Sequence, residues 1–187
     1  MKVCLIEPSK FVSLTNLVST VSMPPIGLAY IASALREVGH ETSVVDGSGL
    51  APRKIFDFGK MRLRGLTNAE IIARIPLDVQ VIGVGCMFTS HWIYIRELIK
   101  DILKHFPSIK IIMGGEHVTG FPEFSLQEAP IDLAVLGEGE ETVAQLLSHL
   151  EKGLPLNELD GVAYRDDNGT IQVNPRRNRI REIDSIP

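Results

Sequence analysis

Short apolar runs alternate along the chain with segments whose apolar residues recur at helical spacing. The runs are aliphatic or β-branched on both faces, which is typical of parallel strands covered by helices on both sides; they occupy residues 3–6, 42–45, 79–84, 109–113 and 133–136. Helical spacing is found over residues 26–38, 91–105 and 142–150. This alternation predicts an α/β fold with a doubly wound, five-stranded parallel sheet of the Rossmann-like type.

Two segments fall outside this alternation. Residues 47–75 form a long connection between the second and third strands, with a helix predicted over residues 68–75. The pair Asn168-Gly169 stands between two β-prone runs, which is a strong hairpin signal. We therefore predict an α/β domain over residues 1–153, followed by a C-terminal β-hairpin and a basic linker over residues 154–187.

Composition and charge narrow the class of protein. The 187 residues carry 19 Lys+Arg and 23 Asp+Glu, a net charge of -4, which disfavours binding to nucleic acid. An apolar content of 44% fits a folded domain. Two cysteines, Cys4 and Cys86, both within strand-like runs, predict a reducing cytoplasmic location, and no segment has the length and uninterrupted apolar character of a membrane span.

The turns after the predicted strands carry the candidate chemistry, because ligands of open α/β sheets bind at the carboxyl ends of the strands. Gly114-Gly115 would let a ligand approach the backbone, although such a pair is also found in plain tight turns. The glutamates of the stretch Gly137-Glu138-Gly139-Glu140-Glu141 favour the start of a helix over a metal site. His91 and His117 lack a partner at metal-ligand spacing, and Cys86 reads as a packed thiol rather than a reactive one.

Several common catalytic motifs are missing from the sequence. It contains no G-x-G-x-x-G after the first strand, no Walker loop and no G-x-S-x-G elbow. No residue is therefore predicted to be catalytic or to bind a metal, and the sequence predicts a binding site without catalytic machinery.

Taken in order, the turns resemble those of the cobalamin-binding domain that precedes the catalytic barrel of many radical SAM enzymes. The similar stretches are P-P-I-G-L-A-Y-I-A at residues 24–32, G-H-E-T-S-V-V-D at 39–46, V-I-G-V-G-C-M-F-T-S at 81–90, G-G-E-H-V-T at 114–119 and G-E-G-E at 137–140. Residues 174–187 resemble the family's bridge into the barrel. The resemblance implies a flavodoxin-type cobalamin-binding fold and covers nearly the whole chain.

Two motifs of the wider cobalamin-binding fold are absent. The loop after strand one, from Glu7 to Phe11, lacks the D-x-H-x-x-G histidine that ligates cobalt in the mutases, and Gly85 occupies the serine position of S-x-L. The resemblance therefore implies base-off cobalamin held without a histidine ligand. It also implies a tail groove kept open by small residues, a corrin rim of aromatic residues and Met, and polar contacts to the corrin amides. The cofactor-binding residues are expected to be Ser9, Phe11, Gly85, Cys86, Met87, Phe88, Thr89, Gly114, Gly115, Glu116, His117, Gly137, Glu138 and Gly139.

The resemblance also bears on the whole protein. It implies a fragment of a radical SAM methyltransferase, or of a cyclase similar to the one acting on magnesium-protoporphyrin monomethyl ester. SAM and a 4Fe-4S cluster would belong to a missing C-terminal barrel, the expected partner within the same polypeptide. The uncharged loop over residues 11–22 is expected at the cofactor rim. Two alternatives stay open: a ligand-free docking domain of the same enzyme class, and a nucleotide- or sugar-binding Rossmann-like enzyme.

Overall fold

A computed structural model describes residues 1–12 and 23–178. Most of the loop over residues 11–22 and the last part of the bridge therefore lie outside the described residues. The strands are β1 (Lys2–Glu7), β2 (Lys10–Phe11), β3 (Glu41–Asp46), β4 (Ile55–Phe58), β5 (Met61–Arg64), β6 (Val81–Gly85), β7 (Lys110–Gly114), β8 (Leu133–Val135), β9 (Val162–Arg165) and β10 (Ile171–Val173). The helices are α1 (Ile26–Glu37), α2 (Asn68–Ile72), α3 (Trp92–His105), α4 (Glu116–Gly120), α5 (Pro122–Glu128) and α6 (Glu140–Lys152).

The predicted five-stranded parallel sheet is confirmed. Its strands lie in the order β3-β1-β6-β7-β8, and every neighbouring pair among them is parallel. The chain leaves β1 toward β3 on one side and later returns to β6 on the other side. The direction of winding therefore reverses between β1 and β6, which is where a crevice for a ligand forms in such sheets.

Helices cover both faces of the sheet because successive strand residues point to opposite sides. Val3 and Leu5 of β1 pack in one apolar core with residues of α1 and α6. Cys4 and Ile6 pack in a second core with residues of α2, α3, α4 and α5. This two-sided burial explains why the central strands are apolar along most of their length.

The three long helices agree with the periodicity, with small differences at their ends. Helix α1 starts directly after Pro25 and ends at Glu37, before Gly39 with its φ of 91°. Helix α6 starts two residues earlier than predicted and ends at Lys152, which is followed by Gly153 in a left-handed conformation. Helix α2 is shorter than predicted and begins with a capping box between Thr67 and Glu70. None of the helices in the described ranges combines the length and the apolarity needed to span a bilayer.

The long connection after β3 contains a feature that the sequence reading missed. Strands β2, β5 and β4 form a second, three-stranded antiparallel sheet. Leu63 of β5 is fully buried against the main core, and Phe56 and Phe58 of β4 pack beside it. These strands have only two to four residues, so their alternation is too short to stand out from a loop.

The predicted C-terminal hairpin is present and extends the main sheet. Strand β9 pairs antiparallel with β8, with Val162 opposite Val135, and β10 pairs with β9. The parallel sheet thus gains a hairpin at one edge, in which β9 runs antiparallel to β8 and β10 runs antiparallel to β9. The division of the chain after residue 153 stays a prediction.

Candidate functional site

A cavity of about 400 Å³ opens at the carboxyl ends of the parallel strands. Residues at the ends of β1 and β6 line it on either side of the point where the winding reverses, and the turns after β7 and β8 complete it. The cavity extends into the face of the sheet that α1 and α6 cover, where Leu28, Ile31, Val143 and Leu147 line it, and residues such as His91 and Ile95 line it from the other face.

The floor of the cavity consists of alternate strand residues. Val3, Leu5 and Glu7 come from β1, and the matching positions of β6 are Val81, Gly83 and Gly85. The floor therefore changes from branched apolar side chains deep in the cavity to glycine and a single carboxylate at its mouth.

Glycine at the mouth leaves room above the backbone. A Cβ added at Gly114 would find its nearest neighbour at 3.9 Å, and one at Gly137 would meet nothing within 4 Å. Both residues line the cavity, so a ligand can approach the sheet closely at these two turns.

The turns after β6 and β7 are locked to each other. The backbone N–H of Cys86 donates to Gly114 O at 2.8 Å, and that of His117 donates to Cys86 O at 3.1 Å. Gly115 has a φ of 106°, and a Cβ there would lie 2.6 Å from Cys86 O. The close approach of the two turns requires glycine at position 115 and holds exposed Met87 and Phe88 at the rim.

Several ionisable groups line the mouth. Lys10 Nζ lies 3.2 Å from Glu7 Oε1, and burial raises the pKa of Glu7 despite that partner. Burial and the charge of Glu7 raise the pKa of the Cys86 thiol to about 12, so the thiol stays protonated. Burial and the charge of Lys10 lower the pKa of His91, which also packs against Phe11 at 5.0 Å. Near neutral pH the imidazole of His91 is therefore neutral.

Comparison with known proteins identifies the domain. Residues 12–147 match the B12 binding domain family, and this match covers well over half of the chain. The chain belongs to the B12-binding domain family.

Relatives of this B12-binding domain are longer proteins. Over its full length the chain is 34% identical to an uncharacterized methyltransferase of Pyrococcus horikoshii, of which it spans 37%. Over 82% of its length it is 32% identical to the anaerobic magnesium-protoporphyrin IX monomethyl ester cyclase of Synechocystis sp., of which it spans 28%.

Solved structures of low sequence identity share the fold. The cobalamin-dependent S-adenosylmethionine radical enzyme OxsB, with aqua-cobalamin and S-adenosylmethionine bound, superposes on 95% of the chain with a TM-score of 0.71 and 23% identity, across 22% of OxsB. The radical S-adenosylmethionine methyltransferase TsrM of Kitasatospora setae, with cobalamin and a [4Fe-4S] cluster bound, covers 97% of the chain with a TM-score of 0.68 and 20% identity, across 30% of TsrM. The domain is thus similar to the cobalamin-binding domains of radical SAM enzymes.

Most of the residues predicted from the sequence to bind the cofactor of this B12-binding domain lie together around the cavity. Those that line it are Gly85, Cys86, Met87, Phe88, Gly114, Gly115, Glu116, Gly137, Glu138 and Gly139. They come from three separate turns, after β6, β7 and β8, which the parallel strands bring to one edge. Their contact with cofactor stays a prediction.

The other four predicted residues do not line the cavity. Ser9 is fully buried and donates its hydroxyl hydrogen bond to Leu66 O at 2.6 Å. Phe11 belongs to β2 and packs edge-on against His91. Thr89 is exposed, and its hydroxyl lies 3.1 Å from His117 Nδ1.

His117 does not line the cavity. Only 2% of it is exposed, and its ring packs on Trp92 with the centroids 4.5 Å apart. Burial lowers its pKa, and its Nε2 has no hydrogen-bond partner among the residues that the structure describes. Its backbone N–H contacts Cys86 O and its ring contacts the Thr89 hydroxyl, so His117 holds the loop after β6 in place.

Sequence reasoning missed two groups of lining residues. Glu7 and Lys10 flank the first turn, and the apolar wall comes from α1 and α6. The alternation of β1 contained a signal for Glu7, because it continues the row of Val3 and Leu5. The apolar wall carried no such signal, since residues lining a cavity and residues filling a core have the same helical spacing.

The lining suits a cofactor with a polar periphery and a tail that ends in a flat, weakly polar ring. Glu140 Oε2 lines the mouth buried and without a hydrogen-bond partner in the described part of the chain, so it can accept a hydrogen bond from a ligand amide or hydroxyl. The apolar crevice between sheet and helices suits a flat ring. Within residues 1–12 and 23–178 no cluster of three or more His, Cys, Asp or Glu side chains could hold a metal ion. The apolar crevice and the unpaired acceptor at its mouth fit cobalamin.

Proposed function

We propose that this domain holds cobalamin in the base-off form, with no histidine ligand to cobalt, as the cofactor module of a longer radical SAM enzyme. Membership of the B12-binding family supports the cofactor. The turn after β1 runs Glu7-Pro8-Ser9-Lys10 and therefore offers no imidazole from that turn. The sequence-predicted residues that line the cavity are proposed as cofactor contacts.

One observation carries the base-off proposal. The cavity does not stop at the glycine-floored mouth but continues between the sheet and helices α1 and α6, down to Val3, Val81 and Leu147. A crevice of this form accepts the nucleotide tail of cobalamin only if the tail's base has left the cobalt. The corrin would then rest on the rim, against the exposed side chains of Met87 and Phe88.

The roles of the chain's own residues are to bind and to orient. Apolar side chains of β1, α1 and α6 exclude water from the crevice, and the turns after β6 and β7 set the level of the rim. Glu116, Glu138 and Glu140, which line the mouth, would accept hydrogen bonds from the amides of the cofactor. Cobalamin itself supplies the carbon–cobalt chemistry of methyl transfer.

The rest of the enzyme lies outside this chain. The domain spans only 37% and 28% of the length of the two relatives described above, which supports a fused radical SAM barrel with its own SAM and 4Fe-4S cluster. The names of the relatives favour either a methyltransferase or a cyclase acting on a magnesium-protoporphyrin ester. By itself the domain is expected to catalyse neither reaction.

Titration of the 187-residue chain with hydroxocobalamin tests the binding. We expect saturable binding by equilibrium dialysis, with the visible spectrum of a base-off corrinoid. After reduction to Co(II), the EPR spectrum should lack splitting from an axial nitrogen. Absence of binding at high micromolar cofactor would refute the proposal and favour the ligand-free docking domain.

His91 provides the sharpest check on the absence of a histidine ligand, because its ring lines the cavity. The His91→Ala variant should give the same Co(II) EPR spectrum as the wild type. A nitrogen splitting that is present in the wild type and lost in this variant would make His91 a cobalt ligand and would refute the histidine-free part of the proposal.

A further inference from the structure

Glu7 is a carboxylate in an unusual place. It is the last residue of β1, its side chain is only 18% exposed, and it lines the cavity where the winding of the sheet reverses. A buried carboxylate at a ligand crevice costs desolvation, as the raised pKa of Glu7 reflects. Lys10 offsets part of this cost through Oε1, at 3.2 Å.

The second oxygen of Glu7 faces the ligand space. Glu7 Oε2 lies 3.2 Å from where a Cβ would stand at Gly85, and Leu28 Cδ1 lies 3.5 Å from the same point. The carboxylate of Glu7 therefore lies beside the space that a side chain at position 85 would occupy. It places a charged acceptor between the glycines of the mouth and the apolar crevice. A group that enters the crevice passes this oxygen.

We propose that Glu7 binds the nucleotide tail of the corrinoid, accepting a hydrogen bond from its hydroxyl or N–H donors, and so selects a corrinoid that carries a tail. This inference rests on the proposed function. The crevice behind Glu7 lies between a sheet and two helices, so a flat heterocycle can enter it while the much broader corrin stays at the rim. Glu7 projects from the same face as Val3 and Leu5 of the crevice floor, so its carboxylate lies at the entrance through which the tail would pass.

The competing possibility is that Glu7 contacts the corrin amides or serves only the fold. Comparison of two ligands separates these cases: cobalamin has the nucleotide tail, and cobinamide has the same corrin without it. Dissociation constants for hydroxocobalamin and diaquacobinamide are measured by equilibrium dialysis on the wild type, Glu7→Gln and Asp78→Asn. Asp78 is the matched control, because it also forms an ion pair with a lysine, Lys2, but does not line the cavity.

We expect Glu7→Gln to weaken cobalamin binding by about tenfold or more, since it removes the charge from a buried acceptor. Its affinity for cobinamide should stay within about twofold of the wild type, which also reports that the variant is folded. Asp78→Asn should change neither constant.

Three results would overturn the inference. Equal losses for cobalamin and cobinamide would assign Glu7 to the corrin or to the fold, and unchanged binding of both would leave it without a role in recognition. A wild type that binds cobalamin no better than cobinamide would show that the tail is not bound at all. Failure of the wild type to bind either corrinoid would instead refute the proposed function, and the inference with it.

Discussion

Replacement of Gly115 by alanine tests the tight contact between the two turns that form the cavity wall. The residue has a φ of 106°, a conformation that costs an L-residue about 1–2 kcal/mol. The added Cβ would also lie 2.6 Å from Cys86 O and 2.8 Å from Cys86 C, both of them backbone atoms. A backbone shift that relieves such a contact costs about 1–3 kcal/mol more.

Gly39→Ala is the matched control for the backbone term. Gly39 has a φ of 91° and an added Cβ there would meet nothing within 4 Å. We expect Gly39→Ala to lower the free energy of unfolding by about 1–2 kcal/mol and Gly115→Ala by about 2–5 kcal/mol. For a chain of this size each kcal/mol corresponds to about 2–4 °C in melting temperature.

Urea denaturation, followed by circular dichroism and by the fluorescence of Trp92, measures both losses. Trp92 is the only tryptophan in the chain and is buried beside His117, so its emission should report unfolding next to the altered turn. Cobalamin affinity should also fall in Gly115→Ala and not in Gly39→Ala. Equal stability losses in the two variants, within about 0.5 kcal/mol, would refute the argument that the contact with Cys86 requires glycine.

Three further predictions follow from individual groups. Thr67→Ala removes the capping-box acceptor of α2 and should lower the free energy of unfolding by about 1 kcal/mol in urea denaturation, and an unchanged midpoint would contradict the role of the cap. In a Cys4→Ser background, Cys86 should react with a thiol reagent far more slowly in the native protein than in urea. A pKa of about 12 leaves roughly one molecule in ten thousand with a Cys86 thiolate at about pH 8. Similar reaction rates in the native and unfolded states would refute the burial of Cys86. Burial lowers the pKa of His91 and of His117, so the unfolded chain binds more protons than the native protein below about pH 6.5. The free energy of unfolding should therefore fall on acidification, by at most about 1.4 kcal/mol per histidine for each pH unit. Urea midpoints at about pH 7.5 and about pH 5.5 measure this, and His117→Gln should reduce the difference.

The strands and the long helices could be predicted from the sequence because their patterns are local. A strand buried on both faces must be apolar at every position, as Val81–Gly85 is apart from its glycines, and helices such as Trp92–His105 keep one apolar stripe. The small sheet was missed because its strands are short, and its one fully buried residue, Leu63, is stabilised by contacts distant in sequence.

The site was predictable in part, for a similar reason. Glycines at the ends of strands indicate a turn that approaches a ligand or another turn, and those at or just after the ends of β6, β7 and β8 do line the cavity. The direction of a polar side chain carries no such signal. Ser9 and His117 could equally face a cofactor or the protein interior, and the structure has both of them buried against other residues.

By itself the sequence determined the order of strands and helices, the two-sided burial of the sheet and the glycine-rich turns, since each depends on residues a few positions apart. Only the tertiary structure decided that Glu7 and Gly85, the ends of β1 and β6, share one crevice. It also decided that α1 and α6 leave this crevice open between themselves and the sheet. The physical reason is that parallel pairing aligns the ends of strands far apart in the chain, while the width of the gap depends on how whole helices pack on the sheet.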